Sequence, residues 1–95
     1  MRPAKLDEQA IAAALEQLEG WTIAEGKLHR EYRFADFAEA FDFMTRIAAR
    51  AESMNHHPEW QNVYGRVVVD LTTHDAGGIT EKDLALARRM DALAG

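Results

Sequence analysis

The apolar positions of this chain follow two rhythms that alternate along its length. Ile11, Ala14, Leu15 and Leu18 recur at helical spacing behind Asp7, a residue type suited to cap a helix start, and Gly20 is the expected stop. Trp21 to Ile23 reads as a short strand and Glu25-Gly26-Lys27 as a turn. From Leu28 to Phe34 the chain alternates Leu28, Arg30, Tyr32 and Phe34 against His29, Glu31 and Arg33, which completes a hairpin. Asp36 followed by Glu39 resembles a capping box and opens a helix expected from Phe37 to Met54. Its predicted core stripe is Phe37, Ala40, Phe41, Met44, Ile47, Ala48 and Ala51, with Asn55 as the stop.

Pro58 cannot continue a helix and biases His57 towards extended backbone. Trp60 to Tyr64 is the expected third strand and Gly65 its turn. Arg66 to Thr73 is the expected fourth strand, with Val67, Val69 and Leu71 on one face and Arg66, Val68, Asp70 and Thr72 on the other. Gly77-Gly78 reads as a loop. Thr80 with Asp83 caps a last helix that carries Leu84, Ala87, Met90 and Leu93. The predicted order is α-β-β-α-β-β-α: an α+β domain, residues 1–95, with a four-stranded antiparallel sheet and three helices packed on one face. Such a sheet has edges that must be covered, blunted or paired, which points to a homo-oligomer.

Composition narrows the function. The chain has 95 residues, 47% apolar and 28% charged, as in ordinary globular domains. It has no cysteine, so disulfides, thiolate metal sites and cysteine nucleophiles are out. A net charge of −5 argues against direct nucleic-acid binding. No apolar run approaches the ~18 residues of a membrane span. The start, Met1-Arg2-Pro3-Ala4-Lys5, does not resemble a secretory signal, so a cytoplasmic location is expected.

The candidate chemistry is concentrated. Of the 4 histidines, all but His29 lie in Glu52-Ser53-Met54-Asn55-His56-His57-Pro58-Glu59-Trp60 and Thr72-Thr73-His74-Asp75. Neighbouring strand residues point to opposite faces, but at a helix-to-strand junction His56 and His57 can share one cleft. His74 closes the strand expected to pair with the third, so all three imidazoles can meet at one end of the sheet. A metal site is an alternative, yet the His-x-x-x-His spacing is absent; metal-free acid–base chemistry fits better. Two solvated loop histidines would be the plainer reading of His56-His57 alone. Glu52, one turn before His56, is either a partner that fixes a histidine tautomer or a solvated helix-end carboxylate. Asp83 reads mainly as a cap, Trp60 as core, interface or a stacking platform, and His29 as surface.

These residues resemble the signature of the pterin-4a-carbinolamine dehydratase family: Glu-x-x-x-His-His-Pro-x-aromatic, then an apolar strand ending in Thr-His. Gly20-Trp21, Phe34-x-x-Phe37-x-x-x-Phe41 and Gly77-Gly78-Ile79-Thr80-Glu81-Lys82-Asp83-Leu84 extend the likeness over nearly the whole chain. Asn55 stands where some members have an acid. The resemblance implies the same α+β fold, dimers that join sheets and pair into tetramers through helices, and no metal or organic cofactor. It implies dehydration of 4a-hydroxytetrahydropterin to quinonoid dihydropterin, which serves recycling of the pterin used by aromatic amino-acid hydroxylases. Some animal members also bind a homeodomain transcription factor. On this resemblance His56, His57 and His74 share the acid, base and pterin-orienting roles, while Glu52, Pro58, Trp60, Thr73, Asp75 and Ala76 are expected to bind or line the pterin. Two alternatives stay open: a non-catalytic oligomeric partner protein, and a related pterin role in molybdopterin metabolism.

Overall fold

The computed structural model describes residues 4–95; the N-terminal reading of Met1 to Pro3 falls outside them. The elements are α1 (Glu8–Gln17), β1 (Thr22–Ala24), β2 (Lys27–Arg33), α2 (Phe37–Met54), β3 (Glu59–Val63), β4 (Arg66–Leu71) and α3 (Glu81–Ala94), with a 3₁₀ turn at His74–Ala76. This is the predicted order. The strands form one antiparallel sheet in the order β1-β2-β4-β3. β2 and β4 are central, and β1 and β3 are the edges.

Register decides what each face does. Leu28 lies opposite Leu71, Arg30 opposite Val69 and Tyr32 opposite Val67, while Trp60 lies opposite Val69. These residues face the helices, and Leu28, Val67, Val69 and Leu71 are fully buried there with Ile47, Leu86 and Met90. Each such large side chain contributes roughly 1.5–3 kcal/mol over leaving it in water. The other face carries His29, Glu31, Arg33, Glu59, Gln61, Arg66, Val68 and Asp70.

The caps form as the sequence predicts. Asp7 accepts from the amide of Ala10, and Asp36 from that of Glu39. Thr80 and Asp83 make a reciprocal capping box. At the end of α3, Asp91 accepts hydrogen bonds from Trp21 Nε1 and Arg30 Nη1, both at 3.0 Å, and from the Tyr32 hydroxyl. This polar staple ties the last helix to the sheet. Gly65 has a steric cause: a Cβ there would lie 2.4 Å from the backbone oxygen of Phe34.

Three expectations are corrected. Phe37 and Phe41 are 49% and 53% exposed and pack against each other at a tilt instead of entering the core. The apolar band of α2 is wider than the face that meets the sheet, and that face is Ala40, Phe43, Ile47 and Ala51. Phe43 takes the core position and packs on Tyr32 and Phe34, while Ala48 is exposed. The fourth strand ends at Leu71, not Thr73, because the Thr73 amide turns to the carbonyl of Gly78. Trp21 precedes β1 and is buried in the core edge-on to Tyr32, with its Nε1 donating to Asp91.

Candidate functional site

The end of α2 sets the site. Asn55 adopts the left-handed conformation, φ 51°, which asparagine tolerates better than most residues. The His56 amide donates to Ala51 O at 3.0 Å and the Asn55 amide to Glu52 O at 3.1 Å. This pair of bonds is a Schellman closure, and it fixes the residue after the cap. Hence His56 turns inward and His57 outward, although they are neighbours. On the facing side, β4 runs out at Leu71 and the 3₁₀ turn lifts His74 towards them.

The result is a cleft of ≈ 270 Å³ lined by Asn55, His56, His57, Thr72, Thr73, His74, Asp75 and Lys82. That is close to the lower end of small-molecule sites, roughly 300 Å³. All three predicted histidines line it. Of the residues expected to contact a ligand, Thr73 and Asp75 line it as well. Glu52 sits behind His57. Pro58, Trp60 and Ala76 are not among the lining residues, and Trp60 packs partly buried against the core.

Each imidazole meets a carboxylate through the same ring atom. His56 Nε2 lies 2.5 Å from Asp83 Oδ1, His57 Nε2 3.3 Å from Glu52 Oε1, and His74 Nε2 3.0 Å from Glu59 Oε2. An ionised carboxylate only accepts, so each Nε2 carries the hydrogen. Each Nδ1 is then the nitrogen left for other partners, and none of the three makes a hydrogen bond among the described residues.

The three pairs differ in setting. Asp83 is fully buried and His56 is 8% exposed. Asp83 Oδ2 also accepts from the Thr73 hydroxyl at 2.8 Å and from the Thr80 amide at 2.9 Å. Because Thr73 spends its hydrogen on Asp83, the Thr80 hydroxyl donates to Thr73 across their 2.8 Å contact. The buried polar groups thus satisfy one another, and no buried side-chain nitrogen or oxygen is left without a partner among the described residues. His57 and His74 are open, with side chains 55% and 79% exposed. Glu59 also holds Lys27 Nζ at 2.5 Å. The hydrogen bond from Lys27, with a further one from His74, holds the Glu59 carboxyl below its usual range. Among the described residues no group of three or more histidine, aspartate or glutamate side chains is placed to hold a metal ion.

Sequence reasoning missed Glu59 and Lys82, and it undervalued Asp83. The cap motif at Thr80 and Asp83 was visible, but one Asp83 oxygen satisfies the cap and the other is free for His56. Strand alternation was the signal for Glu59. If Trp60 faces the core, Glu59 must face away from it, beside the end of β4.

Known proteins resemble this chain over nearly its whole length. The sequence profile described as "Pterin 4 alpha carbinolamine dehydratase" matches residues 4–93. A protein of Solibacter usitatus, provisionally named pterin-4-alpha-carbinolamine dehydratase, is 63% identical over 90 residues, 95% of each chain. One from Sinorhizobium fredii with the same provisional name is 55% identical over 99% of this chain and 91% of its own length. A crystal structure described as a transcriptional coactivator/pterin dehydratase from Brucella melitensis superposes with a TM-score of 0.93 at 45% identity, covering 96% of this chain and 99% of that one. A pterin dehydratase-like protein described as a RuBisCO assembly factor in the alpha-carboxysome superposes at 0.65 with 28% identity, over 79% and 87%.

Proposed function

This chain belongs to the pterin 4 alpha carbinolamine dehydratase family, a family of hydro-lyases, and on that premise we propose that it expels water from a 4a-hydroxytetrahydropterin to give the quinonoid dihydropterin. The observation that carries the reading is the cleft itself. Three imidazoles line it, and each has its Nε2 turned to a carboxylate.

The reaction breaks the C4a–O bond and makes C4a=N5. One group must protonate the departing hydroxyl, and another must take the N5 proton. A protonated imidazole serves the first and a neutral one the second, and each well-placed acid or base contributes about 10²–10⁴-fold. With Nε2 held by a carboxylate, Nδ1 is the atom that exchanges protons with the substrate. His57 and His74 are the open pair, suited to the acid and base roles. His56, locked by buried Asp83, is suited to orienting the pterin. Asp75 offers a polar contact in the cleft, and Thr73, whose hydroxyl is spent on Asp83, shapes its lining. The product would return to the pool of pterin cofactor used by hydroxylases, in the cytoplasm.

A homo-oligomer completes the reading. The exposed Phe37–Phe41 pair on α2 and the open edge strand β3 are surfaces that a second copy would cover. A second reading, a partner-binding role, is favoured by the descriptions of the two solved relatives as a coactivator and an assembly factor. The two are separable. The enzyme reading requires that purified protein accelerate dehydration of freshly generated 4a-hydroxytetrahydropterin above the spontaneous rate. A folded protein that leaves that rate unchanged would shift the weight to partner binding, and a panel of other pterins would test a molybdopterin-related role.

A further inference from the structure

We propose that Glu59 is a positioning residue for His74, and that Lys27, reaching across the solvent face of the sheet, tempers the charge that Glu59 presents to it. The proposal rests on the dehydratase reading for its catalytic meaning, but its geometry stands by itself. Glu59 opens β3 opposite Asp70 of β4, and Asp70 lies opposite His29 of β2. Lys27 is two residues from His29 on the same face, so its ammonium crosses β4 diagonally to reach β3. The two Glu59 oxygens are divided: Oε1 takes Lys27 Nζ at 2.5 Å and Oε2 takes His74 Nε2 at 3.0 Å.

This is the one tether that the described residues give the His74 ring. His74 sits on a one-turn 3₁₀ segment and is 79% exposed, so packing does little to aim it. The Glu59 carboxylate fixes which ring nitrogen bears hydrogen and turns Nδ1 away from β3. Lys27 shares that carboxylate: the Glu59 carboxyl is lowered and the Lys27 ammonium raised, each chiefly by their mutual hydrogen bond. The other charged or titratable groups around the cleft are His56 with Asp83, His57 with Glu52, Asp75, and Lys82 from α3. Asp70, bonded to His29, adds negative charge beside Lys27.

The signs give the test. Glu59→Gln removes a negative charge next to the imidazole and disfavours its protonated form. Lys27→Met removes the positive charge that offsets Glu59 and favours it. NMR titration of the His74 ring should therefore show the midpoint falling in E59Q and rising in K27M relative to the parent. In the E59Q/K27M double variant the two effects offset, so the midpoint should lie between those of the single variants. In the dehydratase assay E59Q should lower kcat by about 3–10-fold with KM little changed, and add nothing to His74→Ala. General loosening of the fold would move both midpoints the same way. Midpoints that stay put, or that shift with the same sign, overturn the proposal. Opposite shifts in a protein without dehydratase activity would leave the Glu59–His74 coupling standing and remove the reaction assigned to it.

Discussion

His56 Nε2, at the wall of the cleft, and Oδ1 of the fully buried Asp83 are 2.5 Å apart. The same carboxylate closes the α3 cap and receives the Thr73 hydroxyl. Asp83 therefore joins fold and site. Asp83→Ala strands three donors at once: the imidazole, a hydroxyl and an amide. Breaking such a buried set costs about 3–5 kcal/mol. In a domain of this size each kcal/mol is worth ~4–8 °C, so thermal melting should fall by more than about 10 °C. A variant that melts within a few degrees of the parent would show that the pair is peripheral to stability.

His56 and His57 are adjacent yet should respond differently. His56→Ala removes a buried ring and leaves Asp83 short of a donor, with an expected loss of about 2–3 kcal/mol. His57→Ala removes an exposed ring with a 3.3 Å contact to Glu52 and should stay within about 0.5 kcal/mol of the parent. Urea unfolding of the two variants measures this difference directly. Equal losses would mean that the inward and outward assignments of the two rings are mistaken.

Much of this arrangement was legible in the sequence. Alternation in Leu28 to Phe34 and in Arg66 to Leu71 placed the central strands, because a half-buried strand has a two-residue period. Asp7, Asp36 and Thr80 marked helix starts because a free amide needs an acceptor. The three histidines were brought to one end of the sheet by topology alone. Their partners were less visible. Asp83 lies 27 positions from His56 and Glu59 lies 15 from His74, and no local rule links such pairs. Phe37 and Phe41 failed for another reason. Helical period shows that residues share a side, but the width of the contact with the sheet decides which of them are covered.

The exposed Phe37–Phe41 pair gives a prediction about assembly. Replacing both by serine should shift sedimentation velocity to a smaller species while the unfolding midpoint of the dissociated subunit changes little, since neither ring belongs to the core. An unchanged sedimentation coefficient would place the subunit contact elsewhere, with the β3 edge as the next candidate.

Acid should weaken the solvent face of the sheet first. Glu59 is lowered mainly by its hydrogen bond from Lys27, and Glu31 mainly by its hydrogen bond from Arg66. Each folded-state value lies below the ordinary 4.5, so the unfolded chain binds protons more readily. Their contribution is complete above pH 4.5 and is lost as pH falls from there through the folded values. Glu31→Gln with Glu59→Gln should therefore flatten the decline in unfolding free energy below that pH. A decline as steep as the parent's would assign acid sensitivity to other carboxylates.

The central claim is that open imidazoles in the cleft carry protons during water loss. The most direct measurement is stopped-flow dehydration of freshly generated 4a-hydroxytetrahydropterin by the parent, His57→Ala and His74→Ala, each at matched folded concentration and across a pH series. The account predicts acceleration by the parent, losses of about 10²-fold or more in kcat for each variant, and removal of one limb of the pH profile in each. Parent-like rates and an unaltered profile in both variants would contradict it.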